Sequence, residues 1–145
     1  MPPLTDPRPD WDTYYLDIAR AVSARADCTR RRVGAIIVNG DRIVSTGYNG
    51  AAAGRPGCLS AGACPRGQMT TAQVLPGSSY DTGPGSCIAL HAEQNAILRA
   101  GLDCRTATLY ITDEPCDGCY RLIEGSGIYR VVFPDTTNLW KTRLF

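Results

Sequence analysis

The sequence predicts a layered α/β domain, and three observations lead to that fold class. Its first half contains two β-branched runs on either side of an Asn-Gly-Asp turn, and its second half alternates helical and strand patterns. A hydrophobic content of 43% in 145 residues is enough for one compact core without disulfides. Because alternating elements of this kind form a sheet covered by helices, we expect residues 1–145 to fold as a single α/β domain.

The first half is predicted to hold a helix followed by a hairpin. Aromatic and aliphatic residues recur at helical spacing and predict a helix over Trp11–Arg25. The runs Val33–Val38 and Arg42–Tyr48 are rich in β-branched residues, and the Asn-Gly-Asp segment between them is a strong hairpin signal. We therefore expect two antiparallel strands here.

The stretch from about 51 to 86 is rich in Gly, Pro, Ser and Ala and has no sustained helical or strand period. It is predicted to be a long irregular insertion. Loops of this length are uncommon unless they are functional or tied down.

The second half is predicted to alternate helix, strand, helix and strand. The four elements are a helix over Ala92–Ala100 closed by Gly101, a strand over Ala107–Thr112, a helix from about Cys116 to Glu124, and a strand over Tyr129–Phe133. The tail from Asn138 to Phe145 has no pattern that assigns it to an element.

Composition and charge argue against several classes of partner. With 15 basic and 14 acidic residues the net charge is +1, whereas a nucleic-acid-binding surface is strongly basic. The apolar runs are too short to span a bilayer, and the start, Met1–Pro7, lacks the basic-then-apolar order of a secretory signal. We expect a cytoplasmic protein with a small diffusible substrate and neither nucleic acid nor membrane as partner. In the reducing cytoplasm, its seven cysteines are expected to act as metal ligands in preference to forming disulfides.

Two short segments carry the chemistry, His91-Ala92-Glu93 and Pro115-Cys116-Asp117-Gly118-Cys119. A catalytic zinc takes three nitrogen or thiolate ligands and leaves a fourth position open for water, a requirement that His91, Cys116 and Cys119 meet. The order H-x-E and then P-C-x-x-C is that of zinc-dependent nucleobase deaminases. The alternatives are a closed structural zinc site or a redox CxxC pair, with the His-x-Glu segment on a solvated helix face.

Glu93 is predicted to be the proton carrier of this site. Zinc lowers the pKa of its water to about 7, so a carboxylate two residues from a ligand can take the proton. The alternative is a plain surface carboxylate. Pro115 fits the first turn of a helix, which would place Cys116 and Cys119 in that turn, where the helix dipole favours the thiolate that zinc binds.

Four segments of the chain match a known family: Arg32–Val38, Ser45–Gly50, His91–Ala96 and Glu114–Cys116. On these segments the sequence, from about Ala19 to Phe133, resembles the deoxycytidylate (dCMP) deaminases of the cytidine-deaminase-like superfamily. The resemblance implies a three-layer α/β/α fold around a five-stranded mixed sheet. It also implies zinc-dependent hydrolysis of dCMP to dUMP and ammonia, and a homo-oligomer, often a hexamer.

The resemblance assigns substrate contacts to two residues. Asn49 would contact the sugar-phosphate portion of the nucleotide, and the backbone N–H of Ala92 would bind the pyrimidine O2. An asparagine amide offers both a donor and an acceptor to a ribose hydroxyl. The alternative for Asn49 is a turn-forming Asn-Gly pair.

The resemblance also implies a second, structural zinc, because several microbial and phage members carry one. Its ligands would be Cys28, Cys58, Cys64 and Cys87, which lie before the hairpin, within the insertion and just before the His-Ala-Glu segment. A four-cysteine site would fix an insertion that has little core of its own. The alternative is four small buried hydrophobes.

Three positions depart from the family pattern: Ala52 replaces a proline, Asp113 a leucine, and Gly118 a bulkier residue. Asp113 and Gly118 bear on pocket shape and base preference. Other candidate substrates are CMP, cytidine, a modified cytosine and adenosine in tRNA, and another class is a zinc-stabilised nucleotide-binding protein without turnover. The Arg30-Arg31-Arg32 cluster is either a solvated turn or a phosphate-binding segment.

Overall fold

The computed structural model describes residues 5–137 and 139–145, so residues 1–4 of the chain start and Asn138 of the tail lie outside the described part. The helices are α1 (Trp11–Ser23), α2 (Ala92–Ala100) and α3 (Asp117–Ser126). The strands are β1 (Gly34–Asn39), β2 (Arg42–Tyr48), β3 (Thr108–Ile111), β4 (Arg130–Pro134) and β5 (Trp140–Leu144). Short 3-10 turns occur at Arg66–Gln68 and Gly101–Cys104.

The five strands form one mixed sheet in the order β2-β1-β3-β4-β5. Only β3 and β4 run parallel, and the other neighbouring pairs are antiparallel. The crossover between the two parallel strands contains α3, as a parallel connection requires. The predicted five-stranded mixed sheet is confirmed.

The two faces of the sheet are covered by different helices, which makes the fold three-layered. One face packs against α1 and contributes Ile36, Val38, Tyr110 and Val132 to a core with Tyr15, Leu16 and Ala19. The other face contributes Ala35, Ile37, Leu109, Ile111, Val131 and Phe133 to a larger core that includes residues of α2 and α3. Neighbouring strand residues alternate between the two cores, as the two-residue period of a strand requires.

Helix α1 begins where the sequence predicts and ends two residues early. The Asp10 side chain caps it by accepting a hydrogen bond of 2.8 Å from the Thr13 N–H. After Ser23 the chain tightens, because the N–H groups of Ala24 and Arg25 bond to carbonyls three residues back.

The hairpin forms as predicted, and its turn explains the Asn-Gly-Asp segment. Gly40 and Asp41 have φ values of 58° and 62°, the left-handed conformation that a type I′ turn needs at both central positions. The register shifts between Ile37 and Val38, which marks a bulge in the ladder.

The tail supplies the fifth strand. Strand β5 pairs antiparallel with β4 from Pro134 and Trp140 to Arg130 and Leu144. Four of its five residues are exposed, so it lacks the alternating pattern by which the other strands are predicted.

The segment between β2 and α2 is irregular apart from one 3-10 turn, and it is held at two places. Gly50 and Leu90, at its two ends, exchange backbone hydrogen bonds of 3.1 and 2.8 Å. The Asp27 carboxylate accepts hydrogen bonds from the backbone N–H groups of Leu59 and Ser60 at 2.8 and 2.7 Å. Both contacts tie this segment to the elements that precede and follow it.

Among the described residues, no helix combines the length and the apolar character needed to cross a bilayer.

Candidate active site

His91 stands immediately before α2 and is the N-cap residue of that helix. Its backbone N–H donates to Oε1 of Gln94 at 2.7 Å, and its carbonyl accepts the Asn95 N–H at 3.0 Å. These bonds fix the start of the helix and the position of the imidazole beyond it.

Cys116 and Cys119 lie at the start of α3, directly after β3 and the turn that follows it. Cys116 is the N-cap residue, and its carbonyl accepts the Tyr120 N–H at 2.9 Å. Cys119 lies within the first turn and is 1% exposed. The expectation that Pro115 and Cys116 lie inside the first turn is wrong, because the helix begins at Asp117 and Pro115 precedes the cap.

The three side chains converge although they start two different helices. Sγ of Cys119 lies 3.2 Å from Nδ1 of His91, Sγ of Cys116 lies 3.8 Å from the same nitrogen, and all three ligand atoms lie within 4.8 Å of one another. Zinc–sulfur and zinc–nitrogen bonds of about 2.3 and 2.1 Å at a tetrahedral angle separate sulfur and nitrogen by about 3.6 Å. The observed distances bracket that value, so the donor set fits zinc.

The Glu93 carboxyl is buried beside these ligands. The residue is 3% exposed, and Oε1 lies 3.7 Å from Nδ1 of His91. Burial raises the pKa of Glu93 above its ordinary value, while hydrogen bonds from Cys119 and from its own backbone, and the charges of His91 and Arg31, act in the opposite direction. A raised pKa makes this carboxyl a better proton acceptor than an ordinary glutamate, as a general acid-base group requires.

The environment of Cys119 opposes thiolate formation, in contrast to the expectation from the helix dipole. Burial raises the pKa of this thiol far above its usual range, and the neighbouring Glu93 and Cys116 raise it further. A bound divalent cation reverses this balance, because its charge deprotonates a coordinating thiol outright. The helix dipole alone does not prepare this ligand.

His91, Cys116 and Glu93 line a cavity of about 570 Å³. Ala92, Asn49 and Ile111 line it, and its wall also carries the side chains of Arg30, Arg31, Tyr80, Asp81, Asp113 and Glu114. The volume is in the range of small-molecule sites. Its mixture of apolar groups and two arginines suits a small ligand that carries an anionic group.

Comparison with known proteins identifies the family. The family described as "Cytidine and deoxycytidylate deaminase zinc-binding region" matches residues 9–134. The chain belongs to this deaminase family. Zinc is therefore its cofactor, and His91, Cys116 and Cys119 form the candidate zinc site.

Several relatives support the same membership in the deaminase family. The deoxycytidylate deaminase of Mycobacterium phage D29 is 50% identical over 129 residues, which cover 88% of this chain and 96% of the relative. The deoxycytidylate deaminase of Schizosaccharomyces pombe is 38% identical over 134 residues, which cover 91% of this chain but 39% of the relative. A crystal structure of dCMP deaminase from the cyanophage S-TIM5 in complex with dCMP and dUMP is 25% identical, has a TM-score of 0.61, and covers 88% of this chain and 82% of that one.

Asn49 lines the cavity of the deaminase, but its amide is engaged with the backbone. Oδ1 accepts the Val33 N–H at 2.9 Å, and Nδ2 donates to the Arg31 carbonyl at 2.9 Å. Because an amide can make four hydrogen bonds, one N–H and one lone pair stay available. Ala92, the first residue of α2, has no acceptor within the helix for its N–H.

The four remaining cysteines predicted as ligands meet around a second, small cavity of about 30 Å³. The pKa of Cys58 is raised to about 11, first by burial and then by Cys64, Cys87 and Cys28 nearby. Backbone N–H groups point at the sulfurs of Cys28 and Cys87, each at 3.4 Å. Within the described residues, the four Sγ atoms do not form a group as tight as the ligands of the His91 site.

The sequence analysis missed two features that shape the deaminase site. Gly47 lies where β2 crosses α2, and a Cβ there would come within 2.3 Å of the Ala92 carbonyl. Tyr80 of the insertion reaches the cavity wall, where its hydroxyl accepts a hydrogen bond of 2.6 Å from Arg30. The family match of the Ser45–Gly50 segment, which contains Gly47, was a signal for the first, but no local pattern marked Tyr80.

Proposed function

We propose that this protein is a deoxycytidylate deaminase that converts dCMP and water to dUMP and ammonia. The observation that carries the proposal is the buried Glu93 carboxyl beside the His91, Cys116 and Cys119 donors, at the base of a cavity whose wall bears arginines. Its relatives support the same substrate, since the phage D29 protein, which is 50% identical over 88% of this chain, is a deoxycytidylate deaminase.

The reaction requires water to attack C4 of the cytosine ring and an amine to leave from it. Zinc, when bound, lowers the pKa of water enough to make it a nucleophile at neutral pH. Glu93 takes one proton from that water and delivers it to N3 of the ring. It then carries the remaining hydroxyl proton to the amine, so that the C4–N bond breaks, C4=O forms and ammonia departs.

The cavity positions the base through backbone and side-chain groups. We propose that the Ala92 N–H donates to the pyrimidine O2, where the positive end of α2 also favours a partial negative charge. Asn49 would offer its free amide N–H to the sugar while its other bonds hold the Arg31–Val33 segment in place. Arg30 and Arg31 would supply positive charge for the phosphate.

Substrate profiling tests the proposed function. The purified protein is incubated separately with dCMP, CMP, deoxycytidine and dCTP, and the products are separated by chromatography. Preferential conversion of dCMP to dUMP is expected. Activity on another of these compounds would move the assignment to a different cytosine substrate, and binding without ammonia release from any of them would contradict catalysis.

We further propose that Cys28, Cys58, Cys64 and Cys87 hold a structural zinc. Their convergence on one cavity and the N–H groups directed at two of the sulfurs support thiolate ligands. Cys64→Ser should reduce bound zinc from two ions to one per chain, whereas Cys104→Ala, which alters a buried core cysteine, should leave both. One ion per chain in the unaltered protein would contradict the second site.

The enzyme is also proposed to act as a cytoplasmic homo-oligomer, in the size range of a hexamer. Leu98 and Leu102, near the end of α2, are 69% and 75% exposed, as expected for residues that a second chain covers. All seven cysteines are free, which suits a reducing compartment. Light scattering should give a multiple of 15.6 kDa, and a monomer would contradict the proposal.

A further inference from the structure

Two oppositely charged side chains face each other across the wall of the cavity. Nη2 of Arg31 lies 2.5 Å from Oδ2 of Asp113, and both residues line the cavity. The pair joins positions that are 82 residues apart in sequence.

The backbones that carry the pair are held in place on both sides. Asn49 accepts from the Val33 N–H and donates to the Arg31 carbonyl, which fixes the segment before β1. Asp113 follows Thr112, whose N–H donates to the Gly34 carbonyl at 3.0 Å. The freedom of the pair therefore lies in its side chains, which can separate without a change in the fold.

The pair is exposed enough to be broken by a competing anion. The Arg31 and Asp113 side chains are 68% and 40% exposed. Exposed ion pairs contribute at most about 1 kcal/mol, which is about a fivefold factor in a binding equilibrium. A phosphate dianion is a stronger partner for a guanidinium than a carboxylate monoanion, because both can accept two parallel hydrogen bonds but the phosphate carries more charge.

We propose that Asp113 is a specificity-determining residue that acts through Arg31. In the free enzyme the Asp113 carboxylate forms an ion pair with the Arg31 guanidinium. When the nucleotide binds, its phosphate replaces this carboxylate as the partner of Arg31. Asp113 thereby lowers the affinity for the phosphate group without touching the base or the sugar. This inference rests on the proposed function, since it concerns the phosphate of the same nucleotide.

The other charged side chains on the cavity wall differ from this pair in their partners and in their effect on a phosphate. Arg30 donates to the Tyr80 hydroxyl at 2.6 Å, which is a neutral partner. Asp81 and Glu114 line the same cavity and add to the negative charge near an entering phosphate. A double-variant test is therefore needed to separate pairing with Arg31 from general repulsion.

Calorimetric binding of the product dUMP and of deoxyuridine tests the inference without turnover. The proteins are the unaltered enzyme, Asp113→Asn, Arg31→Gln, the double variant, and Asp17→Asn as a matched control. Asp17 pairs with Arg20 at 2.7 Å on the exposed face of α1, away from the cavity wall. The control should leave both affinities unchanged.

Asp113→Asn should tighten dUMP binding by about two- to fivefold and leave deoxyuridine within a factor of two. Arg31→Gln should weaken dUMP binding by about tenfold or more, as expected for loss of a charge-assisted contact, again without an effect on deoxyuridine. In the Arg31→Gln background, Asp113→Asn should have no further effect on dUMP.

Two results would overturn the inference. One is an equal change of dUMP and deoxyuridine affinity in Asp113→Asn, which would indicate a structural role. The other is the same gain for dUMP with and without Arg31, which would indicate general repulsion. Failure of the unaltered enzyme to release ammonia from dCMP would instead contradict the proposed function, so the two failures are distinguishable.

Discussion

Sγ of Cys119 lies 3.2 Å from Nδ1 of His91, although the two residues belong to different helices and are 28 positions apart. His91 precedes α2 and Cys119 lies in the first turn of α3, so the metal site joins the N-termini of two helices on the same face of the sheet. The position of each helix on the sheet therefore decides whether the three donors meet.

His91→Ala should remove the zinc held at this site. Two thiols remain, and two ligands bind zinc much more weakly than three. Zinc per chain, measured by atomic absorption after gel filtration, should fall by one relative to the unaltered protein. Cys104→Ala, a change at a buried cysteine outside the cluster, should leave the zinc content as it was. Full zinc content in His91→Ala would refute the ligand assignment.

Glu93→Gln should keep the zinc and lose turnover by about 10²- to 10⁴-fold, because the amide is similar in shape but cannot carry a proton. Ammonia release and zinc content are measured on the same preparation. Glu124→Gln, which alters an exposed carboxylate of α3, is the matched control and should retain activity. Near-normal turnover in Glu93→Gln would assign the proton transfers to another group.

The metal-stripped protein should lose stability with rising pH through Glu93. Since burial raises the pKa of this carboxyl above its ordinary value of 4.5, folding favours the protonated form. The stabilisation is fully present below pH 4.5 and is lost as the pH rises through the folded-state pKa. Glu93→Gln should therefore be increasingly more stable than the unaltered protein from about pH 5 upward in urea titrations with chelator. A difference that shrinks with pH would contradict the sign.

Asn49→Ala should reduce both stability and substrate affinity. The Val33 N–H and the Arg31 carbonyl both lose their partner, which costs about 1–3 kcal/mol of unfolding free energy for the donor alone. Asn39→Ala is a suitable comparison, because its amide also bridges two backbone groups, the carbonyls of Asp103 and Arg105, but away from the cavity. Both variants should lower the urea midpoint, and only Asn49→Ala should raise KM.

Gly47→Ala should displace α2 and with it the metal site. The added Cβ would lie 2.3 Å from the Ala92 carbonyl and 2.5 Å from the Ala96 backbone nitrogen, which are backbone atoms that cannot turn aside. We expect loss of turnover together with a lower melting temperature. Gly125→Ala, in α3, meets nothing within 4 Å and should leave the activity unchanged while stabilising the helix slightly. Normal activity in Gly47→Ala would contradict this prediction, because it would show that β2 and α2 can move apart without disturbing the metal site.

Local patterns were sufficient for much of the fold. The hairpin turn, the end of α2 at Gly101 and the spacing of Cys116 and Cys119 are determined within a few residues, so the sequence predicts them well. Strand β5 was not predictable in this way, because its residues are mostly exposed and its pairing with β4 defines it. Helix α3 begins one residue later than predicted, since Cys116 serves as its cap.

The site likewise contains residues that local motifs predict and residues whose contacts depend on the fold. The metal ligands and Glu93 are marked by short motifs, whereas the pair formed by Arg31 and Asp113 depends on the meeting of two loops across the sheet edge. Asn49 is an intermediate case. Its segment was recognised, but the bonds of its amide to the backbone on either side of Arg32 follow from the path of the chain before β1.

The paired ends of the long insertion have an evolutionary consequence. Because Gly50 and Leu90 bond to each other, the chain leaves and rejoins the domain at a single point. For a flexible segment closed in this way, each doubling of length costs only about 0.6 kcal/mol. Insertions and deletions between these two residues would leave the entry of the chain into α2 where it is. Changes in length are therefore expected in the stretches of this segment that carry neither the four-cysteine cluster nor Tyr80, and new surface can be acquired there while the chemistry of the neighbouring helix ends is conserved.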